Sequence, residues 1–553
     1  MEESLLDSAS ESGKRRICSL CVTKSEAVLM LLKCLITFFV FSTTLYAQTG
    51  DMTFQTISDY ESWGWDAVVM QNGIITLATV PAIGGRVMEY NLGSYRSVFV
   101  NSAYLGETYT PAQNGQWYNF GGFKTWPAPQ SSWPGTWPPP PSLDYGAYSV
   151  IDSMQTADSI RVTVLSPIEK WIAPGIRFLR IATMFPGTSR LKMQETIYNT
   201  GSDSVSWSIW GVTQSIVHHP NESDYQNFWV YFPINPNSVF GSSGVAPQGP
   251  STAWKGEIAN GVYGVEFVPD NQKIYADPDR GWIAYADLAD SQVFAKTFGV
   301  FDGAVYPDGG ARVSVYVSGT NPLYLEVEIK GPLVSLAPGG GSYEFTENWW
   351  AAKAEGPVLD VDSVGVTVSK LSYDKSSQIL SGRYGVFYNG TARAVFLDAQ
   401  GRAITEGPTH SVSPLKEFQL EENISIPDSA QSVEIQVHDS SGVLLGNLET
   451  ENVAQLSLVV NRKALASGYR LIPNYPNPFN GGTVIAFFCP VLTKASLRIY
   501  DVMGREVGLL ASGEFTAGEH RYSWNPENLA SGVYILDVAT DRVHLTQKMV
   551  YLR

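Results

Sequence analysis

Cysteine is nearly missing from this chain, with four in 553 residues. Cys18, Cys21 and Cys34 precede residue 47, so Cys489 is the single thiol beyond it. A lone thiol closes no internal disulfide, and Cys18-x-x-Cys21 lacks the second half of a zinc or redox site. Histidine is equally scarce: of six, only His218 and His219 fall between residues 51 and 368. With no third His or Cys in that region, no metal site is expected. Basic residues are the minority charge, 37 Lys and Arg against 53 Asp and Glu, for a net charge of −16. No Lys/Arg cluster is present, which excludes phosphate-backbone recognition and hence nucleic-acid partners. Gly-x-Ser-x-Gly, the phosphate loop and His-Glu-x-x-His are all absent, and no cofactor is expected. Asp277-Pro278-Asp279-Arg280-Gly281 has part of a calcium loop, but its Pro and the missing bidentate Glu favour a turn. No apolar run reaches the ~20 residues that span a bilayer, so no stable transmembrane segment is expected.

Glycine (50), Pro (32), Tyr (28), Phe (24) and Trp (15) are plentiful instead, in a chain that is 44% hydrophobic and only 16% charged. Turn formers, aromatics and low charge suit β-sandwiches better than helical bundles. The length calls for more than one core.

Lys33 precedes an apolar run of about a dozen residues ending at Leu45, followed by Tyr46-Ala47-Gln48. A basic flank, a short apolar core and a small residue read as a signal peptide over residues 1–47, cleaved after Ala47. Met30 is a natural start, which makes residues 1–29 an extension.

Residues 51–368 hold 14 of the 15 Trp. Strand-like runs recur at Ile74–Val80, Arg161–Leu165, Val205–Trp210, Val313–Val317 and Leu323–Ile329, several with the two-residue alternation of half-buried strands. Asn72-Gly73, Asn260-Gly261 and Asp308-Gly309-Gly310 separate them as turns. About 300 residues of this texture predict one large antiparallel β-sandwich. Residues 370–462 are poorer in aromatics, and their length suits a small immunoglobulin-like sandwich. Residues 468–553 form a second such module, with strands at Val484–Phe487, Ala495–Tyr500, His520–Trp524 and Val533–Val538, and turns at Met503-Gly504 and Ala517-Gly518. The expected fold class is therefore all-β: a large sandwich followed by two small ones.

The last module opens with Asn474-Tyr475-Pro476-Asn477-Pro478-Phe479-Asn480, continues through Ile499-Tyr500-Asp501-Val502-Met503-Gly504-Arg505 and Gly532-Val533-Tyr534, and stops at Lys548–Arg553. This ordered set resembles the type A sorting domain of the type IX secretion system of Bacteroidota-like bacteria. The resemblance implies Sec export, passage through the outer membrane by that machinery, and release or surface attachment of the cargo. Without it, the module reads as a terminal β-domain that stabilises its neighbour.

The densest passage runs Trp117-Tyr118-Asn119-Phe120-Gly121-Gly122-Phe123-Lys124-Thr125-Trp126-Pro127-Ala128-Pro129-Gln130, then Trp133 and Trp137-Pro138-Pro139-Pro140-Pro141. Prolines stiffen such a loop. Indole faces accept the C–H face of a sugar, while amides and ammonium groups hydrogen-bond its hydroxyls. The same Trp residues would equally cap an open end of the sandwich, since Trp is highly buried on average. Upstream stands Gly84-Gly85-Arg86; downstream stand Tyr324-Leu325-Glu326-Val327-Glu328-Ile329 and Leu336-Ala337-Pro338-Gly339.

Together these segments resemble the galactose mutarotase-like β-supersandwich. The Gly-Gly-Phe-Lys-Thr-Trp-Pro-Ala-Pro-Gln passage resembles more narrowly its DUF4380 branch. The resemblance implies a sugar cleft in which Arg86 contacts substrate and Glu326 or Glu328, two apart on one strand face, is a base. The chemistry of an epimerase also needs an acid. His218 is the mid-domain candidate, outside the family's Asn-His-x-Tyr-Phe setting and equally readable with His219 as an exposed loop pair. Lys124 serves as acid only if desolvation lowers its pKa. Expected substrate contacts are Arg86, Asn119, Lys124, Trp126, Gln130 and Trp133. Three functions follow: an exported carbohydrate-binding protein, a carbohydrate-active enzyme (an epimerase-like isomerase, or a lyase or hydrolase relative), or a structural envelope protein.

Overall fold

The computed structural model describes residues 52–219, 225, 227–259, 261–456, 469–489, 493–516, 518–526, 529–540 and 543–553. The expected export signal, Pro220 and the turn residues Asn260 and Ala517 lie outside the described residues. Strands dominate, and the α-helices among the described residues, Pro141–Asp144 and Val453–Leu456, are single turns. The chain is all-β, as its composition and alternation predict. No helix among the described residues is long and apolar enough to cross a membrane.

Two large antiparallel sheets build the first domain. The twelve-stranded sheet runs from Thr53–Ile57 through Ala67–Gln71, Ile75–Val80, Arg86–Leu92, Phe123–Ala128, Val205–Ser215, Leu325–Lys330, Val313–Val317 and Gln272–Ala276 to Val245–Pro247. The ten-stranded sheet runs from Trp254–Ala259 to the edge strand Ser149–Gln155, with Trp282–Asp287, Gln292–Phe298, Gly341–Lys353, Leu191–Asn199 and Ile176–Met184 near its centre. Side chains such as Phe123, Phe178, Val327, Ile329, Phe345 and Trp349 fill the space between them.

Alternation governs which residues go inward. In Ile176–Met184, buried and half-buried positions alternate strictly. The strands Arg86–Leu92, Phe123–Ala128 and Leu325–Lys330 are buried at every position. Most of their apolar residues face the other sheet, with Met88 and Trp126 turned outward, while their charged residues face away from it and are covered by a loop and by one another.

The second module pairs a four-stranded sheet (Asp360–Val361, Gly365–Asp374, Ile379–Val386, Phe418–Asn423) with a five-stranded one built on Gly390–Leu397 and Ser432–Asp439. It packs against the outer face of the ten-stranded sheet. Tyr231, Trp282 and Trp350 share an apolar core with Val366, Val368 and Phe387, and the Trp350 and Phe387 rings stack at 4.8 Å. Thr188 Oγ1 donates to the Phe387 carbonyl at 2.8 Å. The C-terminal module has its own core around Phe479, Phe487, Leu497, Leu536 and Met549, between a three-stranded and a four-stranded sheet.

Candidate functional site

Strand register assembles the group. Lys124 lies opposite Val212, and Trp126 opposite Trp210. Across the next ladder Gln214 lies opposite Glu326, Val212 opposite Glu328 and Trp210 opposite Lys330. Glu326 then faces Tyr316, and Glu328 faces Ser314. Directly paired residues share a sheet face, so Lys124, Trp126, Trp210, Gln214, Glu326, Glu328 and Lys330 all stand on the outer face of the twelve-stranded sheet. Between Lys124 and Trp126, Thr125 points the other way, and its hydroxyl donates to Glu195 of the ten-stranded sheet.

Lys124 Nζ donates to Glu326 Oε1 at 3.1 Å, and Gln214 Nε2 donates to the same oxygen at 3.0 Å. The Lys124 ammonium also lies 5.1 Å from the Trp126 ring centroid. Burial holds the Lys124 pKa below its ordinary value, against the pull of Glu326. Glu326 keeps 11% side-chain exposure while Lys124 keeps 1%, so the carboxylate is the part that solvent reaches.

Glu328 shares the face but differs in state. Its side chain is wholly buried and meets Lys273 Nζ at 2.8 Å, Trp210 Nε1 at 2.9 Å and Ser314 Oγ at 2.7 Å. Burial alone would raise its pKa, yet Lys273 and Lys330 hold the carboxyl below its ordinary value. Lys330 in turn reaches Asp308 at 3.0 Å. Glu328 is thus fixed as the centre of an ion-pair cluster, and its complete burial keeps a substrate from it.

Arg86 is buried as well. It donates to Asp144 Oδ1 at 2.6 Å and to the Gly121 carbonyl at 2.8 Å, and Trp126 Nε1 reaches the same Asp144 oxygen at 2.9 Å. Arg86 therefore positions Trp126 through Asp144 instead of facing the open side, because no water-accessible surface remains to it. Gly84 makes this possible. Its φ of +78° suits glycine, and a Cβ there would collide with the Asp144 carbonyl oxygen.

The loop residues divide by exposure. Trp126 and Trp133 are buried. Trp133 Nε1 donates to the Pro127 carbonyl at 2.9 Å, and its ring packs on Trp210 at 6.0 Å. These indoles build the floor and wall, as in the capping alternative. Gln130 Nε2 ties the loop to the Thr136 carbonyl at 2.8 Å. Asn119 is buried, with its side-chain oxygen lacking a donor. The indole that reaches outward is Trp137, 45% exposed, which meets half-buried Trp117 edge-on at 5.1 Å and Trp126 at 6.3 Å.

The structure does not bring His218 to this group. It is exposed beyond the end of the Val205–Ser215 strand, and adjacent His219 turns to Asp287 of the ten-stranded sheet at 2.7 Å. The side chain on that strand that does reach Glu326 is Gln214. Gln214, Asp144, Trp210, Lys273 and Lys330 stand in this group without having been among the contacts expected from sequence. For Gln214 a signal existed: it lies two and four residues after Val212 and Trp210, on the same face of one strand.

The charged groups fill this face by pairing with one another. A separate hollow of about 320 Å³ lies in the C-terminal module, lined by Lys494, Ser496, Ser512, Gly513 and Glu514.

A family model described as a domain of unknown function (DUF4380) matches residues 66–352. A second, the secretion system C-terminal sorting domain, matches residues 474–551; it directs type IX secretion to the cell surface or the extracellular space. No curated protein matches the sequence. Among solved structures, the chain is similar to the Slr1438 protein from Synechocystis sp. PCC 6803, at 11% identity over 56% of this chain and 100% of that one, with a TM-score of 0.37. It is similar to a galactose mutarotase-like protein from Clostridium acetobutylicum at 13% identity over 55% and 99%, TM-score 0.37. Another galactose mutarotase-like protein, from Lactobacillus casei, matches at 10% identity over 52% and 99%, TM-score 0.35.

Proposed function

We propose, for a chain that belongs to the DUF4380 family and carries a type IX sorting domain, that its large domain binds a carbohydrate outside the cell. The observation that carries this reading is Glu326: a largely buried carboxylate that keeps 11% side-chain exposure, braced by Lys124 and Gln214, on the face that also bears the buried Trp126 and the outward Trp137. A carboxylate accepts two sugar hydroxyls, and an indole face covers the apolar side of a pyranose. Glu328, Arg86 and Trp133 hold the platform without touching ligand. Asn119 and Gln130 shape the loop above it.

A glycan array on the secreted protein tests this, followed by calorimetry on any hit. Trp137→Ala is expected to lose binding with little change in the melting temperature, Glu326→Gln to lose binding although it also removes the charge that Lys124 pairs with, and His218→Ala to keep both binding and stability. Binding unchanged in both of the first two variants would overturn the assignment.

One observation favours a second, catalytic reading. Lys124, with its lowered pKa, is in direct contact with Glu326, so an acid and a base stand together as ring opening at an anomeric centre requires. An anomerisation assay on the array hits separates the two readings: turnover abolished by Lys124→Met supports catalysis, and its absence leaves a binding protein.

A further inference from the structure

His219, Asp287 and Asp290 come together at one end of the sandwich. Asp287 is the last residue of the Trp282–Asp287 strand in the ten-stranded sheet, with its side chain wholly buried. Its Oδ1 is held by the backbone N–H groups of Ala289 at 3.0 Å and Asp290 at 3.3 Å. Its Oδ2 accepts from the Tyr95 hydroxyl at 2.8 Å; Tyr95 belongs to a short strand on the edge of the other sheet. His219 Nε2 lies 2.7 Å from Asp287 Oδ2 and 3.7 Å from Asp290 Oδ2. One ligand atom from each of the three residues lies within 4.8 Å of the others.

Two features point to a cation. The first is charge: among the described residues neither carboxylate has a Lys or Arg ion pair, and Lys353 Nζ goes to the Asp290 backbone carbonyl. The second is orientation. Although 2.7 Å separates the His219 nitrogen from Asp287, that nitrogen is buried without an aligned hydrogen bond. At a similar 2.6 Å, His410 and Glu422 do form one. With no aligned donor or acceptor, the His219 nitrogen keeps a lone pair free to join the carboxylate oxygens around an ion. Separations of 2.7 and 3.7 Å bracket the about 3.3 Å between neighbouring ligands of a tetrahedral zinc, given metal–ligand distances of about 2.0–2.2 Å.

We propose that His219, Asp287 and Asp290 bind a divalent cation of the zinc class, with Tyr95 bonded to Asp287 as its outer support. One imidazole and two carboxylates suit zinc better than calcium, which takes oxygen ligands. Asp287 comes from one sheet, and His219 follows a strand of the other. The ion therefore ties the two sheets at this end, and its role is structural, independent of any sugar.

The test is a titration of the EDTA-treated mature protein with zinc chloride, read by calorimetry and by thermal melting. One zinc per chain and a higher melting temperature are expected. Asp290→Asn, at a side chain 52% exposed and so harmless to folding, is expected to weaken zinc at least about tenfold. His219→Ala is expected to abolish it, and His218→Ala to leave it intact. Zinc binding that survives both His219→Ala and Asp290→Asn, or no heat and no shift in melting, would overturn the site. So would calcium binding as tightly as zinc and ignoring the loss of His219.

Discussion

Lys124 and Glu326 are separated by 202 positions in the chain and by 3.1 Å in space. Their contact joins the Trp-rich loop strand to the acidic strand through the Val205–Ser215 strand that lies between them.

Breaking that pair from one side strands a charge. Glu326→Leu leaves the Lys124 ammonium buried without its partner, and a loss of about 3–5 kcal/mol is expected in urea unfolding. The double variant Lys124→Met/Glu326→Leu is expected to lose less than the two single losses combined, since the charge goes with its partner. Strict additivity in the double-mutant cycle would show that the two groups do not interact.

Glu195 sets a pH dependence. Burial, with Glu347 nearby, pushes its carboxyl up to about 8, whereas in the unfolded chain it titrates near 4.5. Between those values the folded protein holds a proton that the unfolded chain has released. Stability from this group is complete below about pH 4.5 and falls as pH rises to about 8. Glu195→Gln keeps the acceptor for Thr125 but cannot ionise. Its melting temperature is expected to fall less than the wild type's between pH 5 and 8, and parallel curves would rule out Glu195 as the source.

Gly84→Ala is expected to destabilise the protein by well over ~1 kcal/mol, because it adds a left-handed backbone penalty to a collision with the Asp144 carbonyl. Since Asp144 holds both Arg86 and Trp126, near-ultraviolet circular dichroism should report a disturbed indole environment. A variant with native spectrum and native stability would mean that this turn does not hold the tryptophan.

Phe387→Ala removes a wholly buried ring stacked on Trp350. A loss of about 3–5 kcal/mol is expected, together with faster proteolysis of the segment that leads from the large domain into the second module. Unchanged proteolysis would mean that the contact contributes little to holding the two together.

Much of this was legible in the sequence because strand alternation is a local signal. Val313–Val317 follows from period two alone, Leu323–Ile329 falls two residues early at its start and one short at its end of the observed Leu325–Lys330, and the shared face of Glu326 and Glu328 follows too. What alternation cannot state is which strands become neighbours. The two glutamates read alike in sequence, yet one is locked by Lys273, Lys330 and Ser314 and the other stays within reach of water. Those partners come from strands whose adjacency only the folded sheets define. Trp133 and Arg86 misled for a related reason: residue types that suit a ligand also suit the support beneath it, and burial distinguishes the two. His219 shows the converse, since a group with no third His or Cys between residues 51 and 368 finds carboxylates about seventy residues downstream.

The stacking of Phe387 on Trp350 also bears on where this protein can be cut. The family match ends at residue 352, but a fragment ending there would bare Tyr231, Trp282 and Trp350 to water as a sticky slab. A fragment that runs on through the second module keeps that slab covered and is expected to be the more soluble of the two.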